Sequence, residues 1–302
     1  MDQQTYIKDV EANLITIRDP MIIVVKDTYY LTGTQPPYWN GVNDGVHLWS
    51  SKDLVHFTDH GLILKREDIP ESMWCRERFW APELFDGGDG WFYLTFNCRN
   101  ESEEYAHCFG VGLARAREIT GPYEILTKDN PLSDEYDSID GTIFRDEDGS
   151  FYLGCNGPEK KLLLYRLNVE KGTVSDKQIV SRAGEDGEWD SIGVEGQCIV
   201  KRHGIYFQWY SSWTDGYAAG ILTSSSINGP WKKWKGNPVI SASKSWHRAG
   251  HNHSFRGLDG RDYIVFHASL KNPDGEDLER MFIRPVEYKA AGTVEVLNDW
   301  EE

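Results

Sequence analysis

Short alternations of apolar and polar residues run the length of the chain, broken by Gly, Asp and Asn, while helical periodicity is scarce. One pattern recurs five times, a turn followed by an aromatic-rich strand. The copies are KDTYYLTGT from Lys26, DGWFYLTF from Asp89, DGSFYLGC from Asp148, HGIYFQWYSS from His203 and DGRDYIVFHA from Asp259. Their second aromatics align as Tyr30, Tyr93, Tyr152, Phe207 and Tyr263, separated by 63, 59, 55 and 56 residues. Asp-Gly and related pairs favour the tight turns that close two-residue hairpins, so each copy reads as strand, turn and strand. Further strands follow in GVHLWSSKDLVHF, GVGLARAREITGPYE, KLLLYRLN and GILTSSSINGPWKKW. Five units with room for four short strands each predict an all-β chain folded as a five-bladed β-propeller. A β-sandwich does not predict a fivefold repeat, and β-helix turns are much shorter. The expected organisation is a single propeller over 1–302, with blades near 12–76, 77–134, 135–190, 191–245 and 246–297.

Eleven or twelve residues before each marker lies the first strand of its blade. Those positions read Arg18-Asp19-Pro20, Trp80-Ala81-Pro82-Glu83, Ile139-Asp140-Gly141, Val194-Glu195-Gly196 and Gly250-His251-Asn252. The innermost strands of a propeller surround its axis, so equivalent positions from different blades meet there. Asp19, Asp140, Glu195 and His251 are therefore expected to face one another. One such acid alone reads as a turn or cap residue; three at one repeat position point to a cluster. Clustered acids in an apolar setting shift one another's pKa, and one is often held protonated. A carboxylic acid and a carboxylate flanking a bond are what glycoside hydrolysis requires. On an alternating strand neighbouring side chains point to opposite faces, which leaves Arg18 as a blade-packing residue unless it turns inward beside Asp19.

Composition narrows the partners. The chain carries 32 basic and 48 acidic residues, a net charge of −16, which disfavours nucleic acid. No stretch of about 18 apolar residues suggests a membrane span. The first residues, MDQQTYIKDV, lack the charged start and apolar run of a signal peptide. A cytoplasmic location is expected, with an exported protein whose signal has been removed as the alternative. Cys75, Cys98, Cys108, Cys155 and Cys198 form no CxxC pair and no zinc spacing, and read as reduced thiols packed in strands. Twelve Trp and fifteen Tyr supply many flat apolar faces with polar edges, suited both to a core and to the C–H faces of sugars.

RDP at Asp19, WAPEL at Trp80, SIDGTIF around Asp140, GVEGQCIVK around Glu195 and GHNHS at His251 together resemble glycoside hydrolase family 43. The resemblance covers nearly the whole chain and keeps the family's motif order. It implies an inverting hydrolase that releases α-L-arabinofuranosyl or β-D-xylosyl units from plant-type polysaccharides or oligosaccharides. The alternatives are an endo-acting arabinanase and a non-catalytic sugar-binding propeller. By that resemblance Asp19 is the general base, Glu195 the general acid, and Asp140 orients the acid and tunes its pKa. Inversion needs room for a water, so the two working carboxyls are expected roughly 6.5–9.5 Å apart. Trp80 resembles a sugar-stacking platform, with core packing as its other reading, and Arg280 an arginine aimed at substrate, with a surface salt bridge as its other reading. Trp39, Trp74 and Trp213 are placed in loops where a pocket rim forms. No cofactor is expected to be required. The family places His251 near an axis that often holds a water-coordinated calcium, where an imidazole would at most supplement oxygen ligands. Little chain follows the fifth repeat for the C-terminal β-sandwich that many β-xylosidases of the family add over the pocket. The rim is therefore expected from blade loops, foremost 36–45 and 98–107.

Overall fold

The computed structural model describes residues 15–39, 41–102, 109–133, 137–213, 216–243, 246–271, 275 and 277–297. Their strands form five antiparallel four-stranded sheets, each built from strands consecutive in the chain. The first blade comprises β1 (Arg18–Val25), β2 (Thr28–Thr34), β3 (Gly45–Ser51) and β4 (Phe57–Lys65). The second holds β5 (Glu77–Asp86), β6 (Phe92–Arg99), β7 (Gly110–Ala116) and β8 (Glu124–Ile125). The third is β9 (Ile139–Arg145), β10 (Phe151–Gly157), β11 (Lys161–Asn168) and β12 (Thr173–Arg182). The fourth is β13 (Glu195–Arg202), β14 (Ile205–Ser212), β15 (Ala218–Ser224) and β16 (Lys232–Lys233). The fifth is β17 (Arg248–Arg256), β18 (Asp262–Lys271), β19 (Asp277–Lys289) and β20 (Thr293–Val296). The first strands contact one another in turn, β1 to β5, β9, β13, β17 and back to β1, which closes a five-bladed propeller. Thr16 pairs with Arg280 of β19, so the start of the first blade is bridged to the last. Among the described residues no helix is long and apolar enough to cross a membrane.

The core is divided into five apolar clusters, one per seam between blades. Met21, Leu48, Phe79 and Phe96 join blades one and two. Tyr93, Leu113, Leu153 and Leu163 join two and three, and Tyr152, Leu164, Tyr206 and Leu222 join three and four. Phe207, Trp209, Phe266 and Phe282 join four and five, and Ile22, Leu31, Phe255 and Val265 close the ring. All five aromatic markers lie at these seams, which is why the repeat was visible: each blade needs the same flat side chain against its neighbour. Burying one such side chain contributes roughly 1.5–3 kcal/mol, whereas one neutral hydrogen bond nets about 0.5–1.5 kcal/mol. Apolar packing therefore holds the ring together, and polar contacts across a seam chiefly set orientation. Cys75, Cys98, Cys155 and Cys198 are buried; Cys108 lies outside the described residues.

Each inner strand breaks its ladder at the same place. Two residues of the first strand oppose one of the second between Arg18 and Met21, Trp80 and Glu83, Glu195 and Cys198, and Gly250 and His253. In the third blade the same bulge falls between Ile139 and Thr142. The first bulged residue is left-handed in every blade: Asp19 (φ 51°), Ala81 (40°), Asp140 (59°), Gly196 (61°) and His251 (45°). Four carry side chains in a region that costs L-residues energy, and such strain gathers at functional sites.

Candidate active site

The bulges correct the expected register. Asp19 and Asp140 do share a repeat position, but its occupant in the fourth blade is Gly196, and Glu195 stands one residue earlier, level with Arg18, Trp80, Ile139 and Gly250. All three acids still line one cavity of about 80 Å³ on the axis. The bulge also explains why Arg18 faces the same cavity instead of alternating away. The extra residue re-aims the strand, so adjacent side chains reach one side. Glycine is favoured at position 196 by crowding as well as by backbone conformation. A Cβ there would lie 3.1 Å from Cγ of His251, at a φ that glycine alone adopts freely.

Asp19 is held by Thr34, whose hydroxyl donates to Oδ2 at 2.6 Å, and by His251, whose Nδ1 lies 3.1 Å from Oδ1. Burial would raise its pKa, but His251, His267, Arg18 and the Thr34 hydrogen bond outweigh burial and hold the carboxyl down at about 2. Glu195 behaves oppositely. Burial, then the charge of Asp140, pushes it up to about 7, although Tyr217 donates its hydroxyl to Oε1 at 2.7 Å. Asp140 accepts from Asn97 Nδ2 at 2.8 Å and from the Gly196 amide at 3.0 Å. Burial and Asp19 raise its carboxyl above its usual range, against the pull of His251 and these two donors. Burial works against a charge on His251 as well, yet Asp19, Asp140 and Glu195 raise its pKa overall. Near neutral pH the cluster thus contains one firmly ionised carboxylate, Asp19, and one carboxyl, Glu195, that titrates there and keeps its proton below about pH 7.

A second cavity of about 510 Å³ adjoins the first, lined by Trp213, Tyr217, Arg248 and Ser269. The two share Arg18, Trp39 and Glu195, whereas Asp19 and Asp140 line the smaller one alone. The Arg18 guanidinium stands 5.0 Å over the Trp39 ring and pairs with Glu279 at 2.9 Å, a divider between the chambers. Trp39 meets Trp80 edge-on at 5.8 Å.

Of the aromatic residues expected at the rim, Trp80, Trp39 and Trp213 line these chambers. Trp74 does not. It is 1% exposed within the seam of blades one and two, and its indole N–H donates to the Thr127 carbonyl. Apolar burial claimed it for the core. Arg280 lines neither chamber; its Nη1 donates to Thr16 Oγ1 and to the Glu279 carbonyl. Tyr38 and Trp39 carry the 36–45 segment into the site, while 103–107 of the other expected rim segment lie outside the described residues. Sequence reasoning missed Thr34, Tyr38, Asn97, Tyr217 and His267. Thr34, Asn97 and His267 had left a signal, since each stands four residues after an aromatic marker.

Asp140, Glu195 and His251 bring potential ligand atoms within 4.8 Å of one another. Calcium takes six to eight oxygens, and this set offers two carboxylates and one nitrogen. Both Asp140 oxygens and one Glu195 oxygen are already hydrogen-bonded, and the His251 ring faces Asp19. These residues do not fit a directly ligated calcium.

The model of the glycosyl hydrolases of family 43 matches residues 15–294, and the chain belongs to that family. A β-D-galactofuranosidase of Aspergillus niger is 29% identical over 274 residues, 83% of this chain and 73% of that protein. An extracellular exo-α-(1→5)-L-arabinofuranosidase of Cellvibrio japonicus is 24% identical, over 85% of this chain and 80% of that protein. An endo-1,4-β-xylanase structure from Bacteroides thetaiotaomicron shares the fold with a TM-score of 0.80 at 24% identity, covering 95% of this chain and 96% of that one.

Proposed function

We propose that the protein is an inverting, exo-acting glycosidase that releases single pentose units, α-L-arabinofuranosyl or β-D-xylosyl, from plant-type saccharides. The observation that carries this reading is the asymmetry of the two chambers: Asp19 lines only the smaller, and Glu195 lines both. A general acid must reach the bond between the released sugar and the remainder, whereas a base acts only on the sugar's far side. The terminal sugar then sits in the small chamber beside Trp80, and the rest of the substrate extends past Glu195 toward Trp213. Asp19, ionised from about pH 2 upward, takes a proton from a water that attacks the anomeric carbon. Glu195 gives its proton to the departing oxygen as the glycosidic bond breaks, and Asp140 keeps that proton in place until then. The reading assigns no step to a metal or organic cofactor.

Nitrophenyl α-L-arabinofuranoside, nitrophenyl β-D-xyloside and linear arabinan, assayed side by side, test the substrate. Turnover of an aryl glycoside with monosaccharide release from arabinan ends is expected; internal cleavage into long oligosaccharides would favour the endo-acting alternative. Proton NMR of the first product, read before mutarotation, is expected to show the inverted anomer. Retention would overturn the base role of Asp19.

A further inference from the structure

The bulges that place the acids also tie neighbouring blades together. The first bulged residue turns its N–H across the seam, where a side chain of the preceding blade accepts it. Thr34 Oγ1 takes the Ala81 amide at 2.7 Å, and Asn97 Oδ1 takes that of Asp140 at 2.8 Å. Ser211 Oγ takes the His251 amide at 2.8 Å, and His267 Nδ1 takes that of Asp19 at 3.0 Å. All four acceptors stand four residues after their aromatic marker. The remaining seam breaks the rule. Asn156 occupies the acceptor position, yet the Gly196 amide goes to Oδ2 of Asp140, and Asn156 Oδ1 has no partner among the described residues. Asp140 has taken over the latch between blades three and four.

Asn97 thereby grips Asp140 twice, accepting from its backbone and donating to its carboxylate Oδ1, while Gly196 holds the other oxygen. We propose that Asn97 is a positioning residue: it holds Asp140 as an ionised carboxylate beside Glu195 and through it keeps the proton on Glu195. The proposal rests on the reading of Glu195 as general acid. Hydrogen bonds donated to a carboxylate favour its charged form. Without Asn97, the Asp140 carboxylate loses the donor and the backbone anchor that fix it beside Glu195, its negative charge acts from a greater distance, and Glu195 releases its proton at lower pH. The charged and titratable groups facing this pair are Arg18 and Asp19 of β1, Glu83 of β5, His251 of β17 and Tyr217 just before β15, with His267 of β18 behind Asp19. Asn97 is neutral, so replacing it leaves all of these charges in place.

The experiment is the pH dependence of kcat/KM for Asn97→Ala against the parent, with Tyr288→Phe as a seam control. Tyr288→Phe removes the hydroxyl that accepts the Trp209 indole N–H between blades four and five, away from the acids. The Tyr288 variant is expected to lower Tm and leave the alkaline limb in place. Asn97→Ala is expected to move that limb down by roughly one pH unit, with a greater loss of kcat on alkyl than on nitrophenyl glycosides. An unmoved limb with only a lower Tm would reduce Asn97 to a structural latch and overturn the proposal. If the alanine variant does not fold, Asn97→Leu, which fills the space without a donor, decides by the same shift. Glu195→Gln must erase the alkaline limb. Failure there sinks the acid assignment, whereas an erased limb that Asn97→Ala does not move sinks only the positioning role.

Discussion

Glu195 and His251 stand at the pocket end of the inner strands; Glu83 and His253 stand further along them, at a third cavity of about 390 Å³ around the strands' C-terminal ends. The residue types are the same and the outcomes differ. Burial pushes both glutamates up, Glu195 to about 7 and Glu83 to about 8. Desolvation alone would make either one a proton donor at neutral pH. Partners separate them. Glu195 shares its cavity with the ionised Asp19 and with Asp140, whereas Glu83 hydrogen-bonds Thr142 beside apolar Ile22, Leu84 and Ile143 and feels the charges of His251 and Asp140 only from outside its own cavity. The histidines diverge for the same reason. Asp19 and Asp140 raise His251 against its burial, while burial and the neighbouring His251 press His253 down to about 4. One end of the axis therefore pairs an acid with a base, and the other holds a neutral acid and a neutral imidazole.

Mutating the two glutamates is the strongest way to break this comparison. Glu195→Gln and Asp19→Asn are each expected to cost on the order of 10²–10⁴ in kcat, the usual worth of a positioned acid or base. Activated aryl glycosides should lose less in the Glu195 variant, because their leaving group hardly needs the proton. Glu83→Gln removes a carboxyl with a similar pKa and no reacting partner, so steady-state kinetics should show a loss below about tenfold. Equal losses at both ends would mean that burial, not partnership, defines the acid.

A smaller effect sharpens the same contrast. The acid works only while protonated, so kcat/KM should fall as pH rises through about 7, where Glu195 titrates. Asp140→Asn removes the neighbouring negative charge, and the midpoint should move to lower pH. A profile that kept its alkaline midpoint in this variant would show that Asp140 does not act on Glu195 through charge.

Much of this was readable before the fold was known. The aromatic markers exposed five blades because every seam packs a ring at the same place, and Asp19 and Asp140 fell at one repeat position because both occupy the left-handed bulge residue. The register at Glu195 slipped by one, although Gly196 beside it carried the correction: a left-handed backbone favours glycine. Trp74 and Arg280 were misjudged because a residue type does not say which neighbour wins it. Trp74 went to an apolar seam and Arg280 to Thr16, a contact across the ring closure. The polar residue four places after every marker was visible and unread; its meaning depends on the bulge of the next blade. Tyr217 belongs to no repeat, and its bond to Glu195 across the fourth blade left no trace in the sequence.

The smallest expected effect lies in stability at the far end of the axis. Glu83 has a folded-state pKa of about 8 against an ordinary value of 4.5, so the folded protein holds a proton that the unfolded chain gives up. A carboxyl of this kind costs nothing while both states are protonated, below about pH 4.5. It weakens the fold progressively as pH rises from there to about 8, and the penalty is constant beyond. Glutamine in its place should behave like the protonated acid at every pH. Thermal unfolding of Glu83→Gln should therefore match the parent near pH 4.5 and exceed it by a few degrees at pH 8. The excess should grow between those limits. A difference independent of pH would mean that Glu83 is not held protonated, and the contrast with Glu195 would then rest on something other than the partners each glutamate faces.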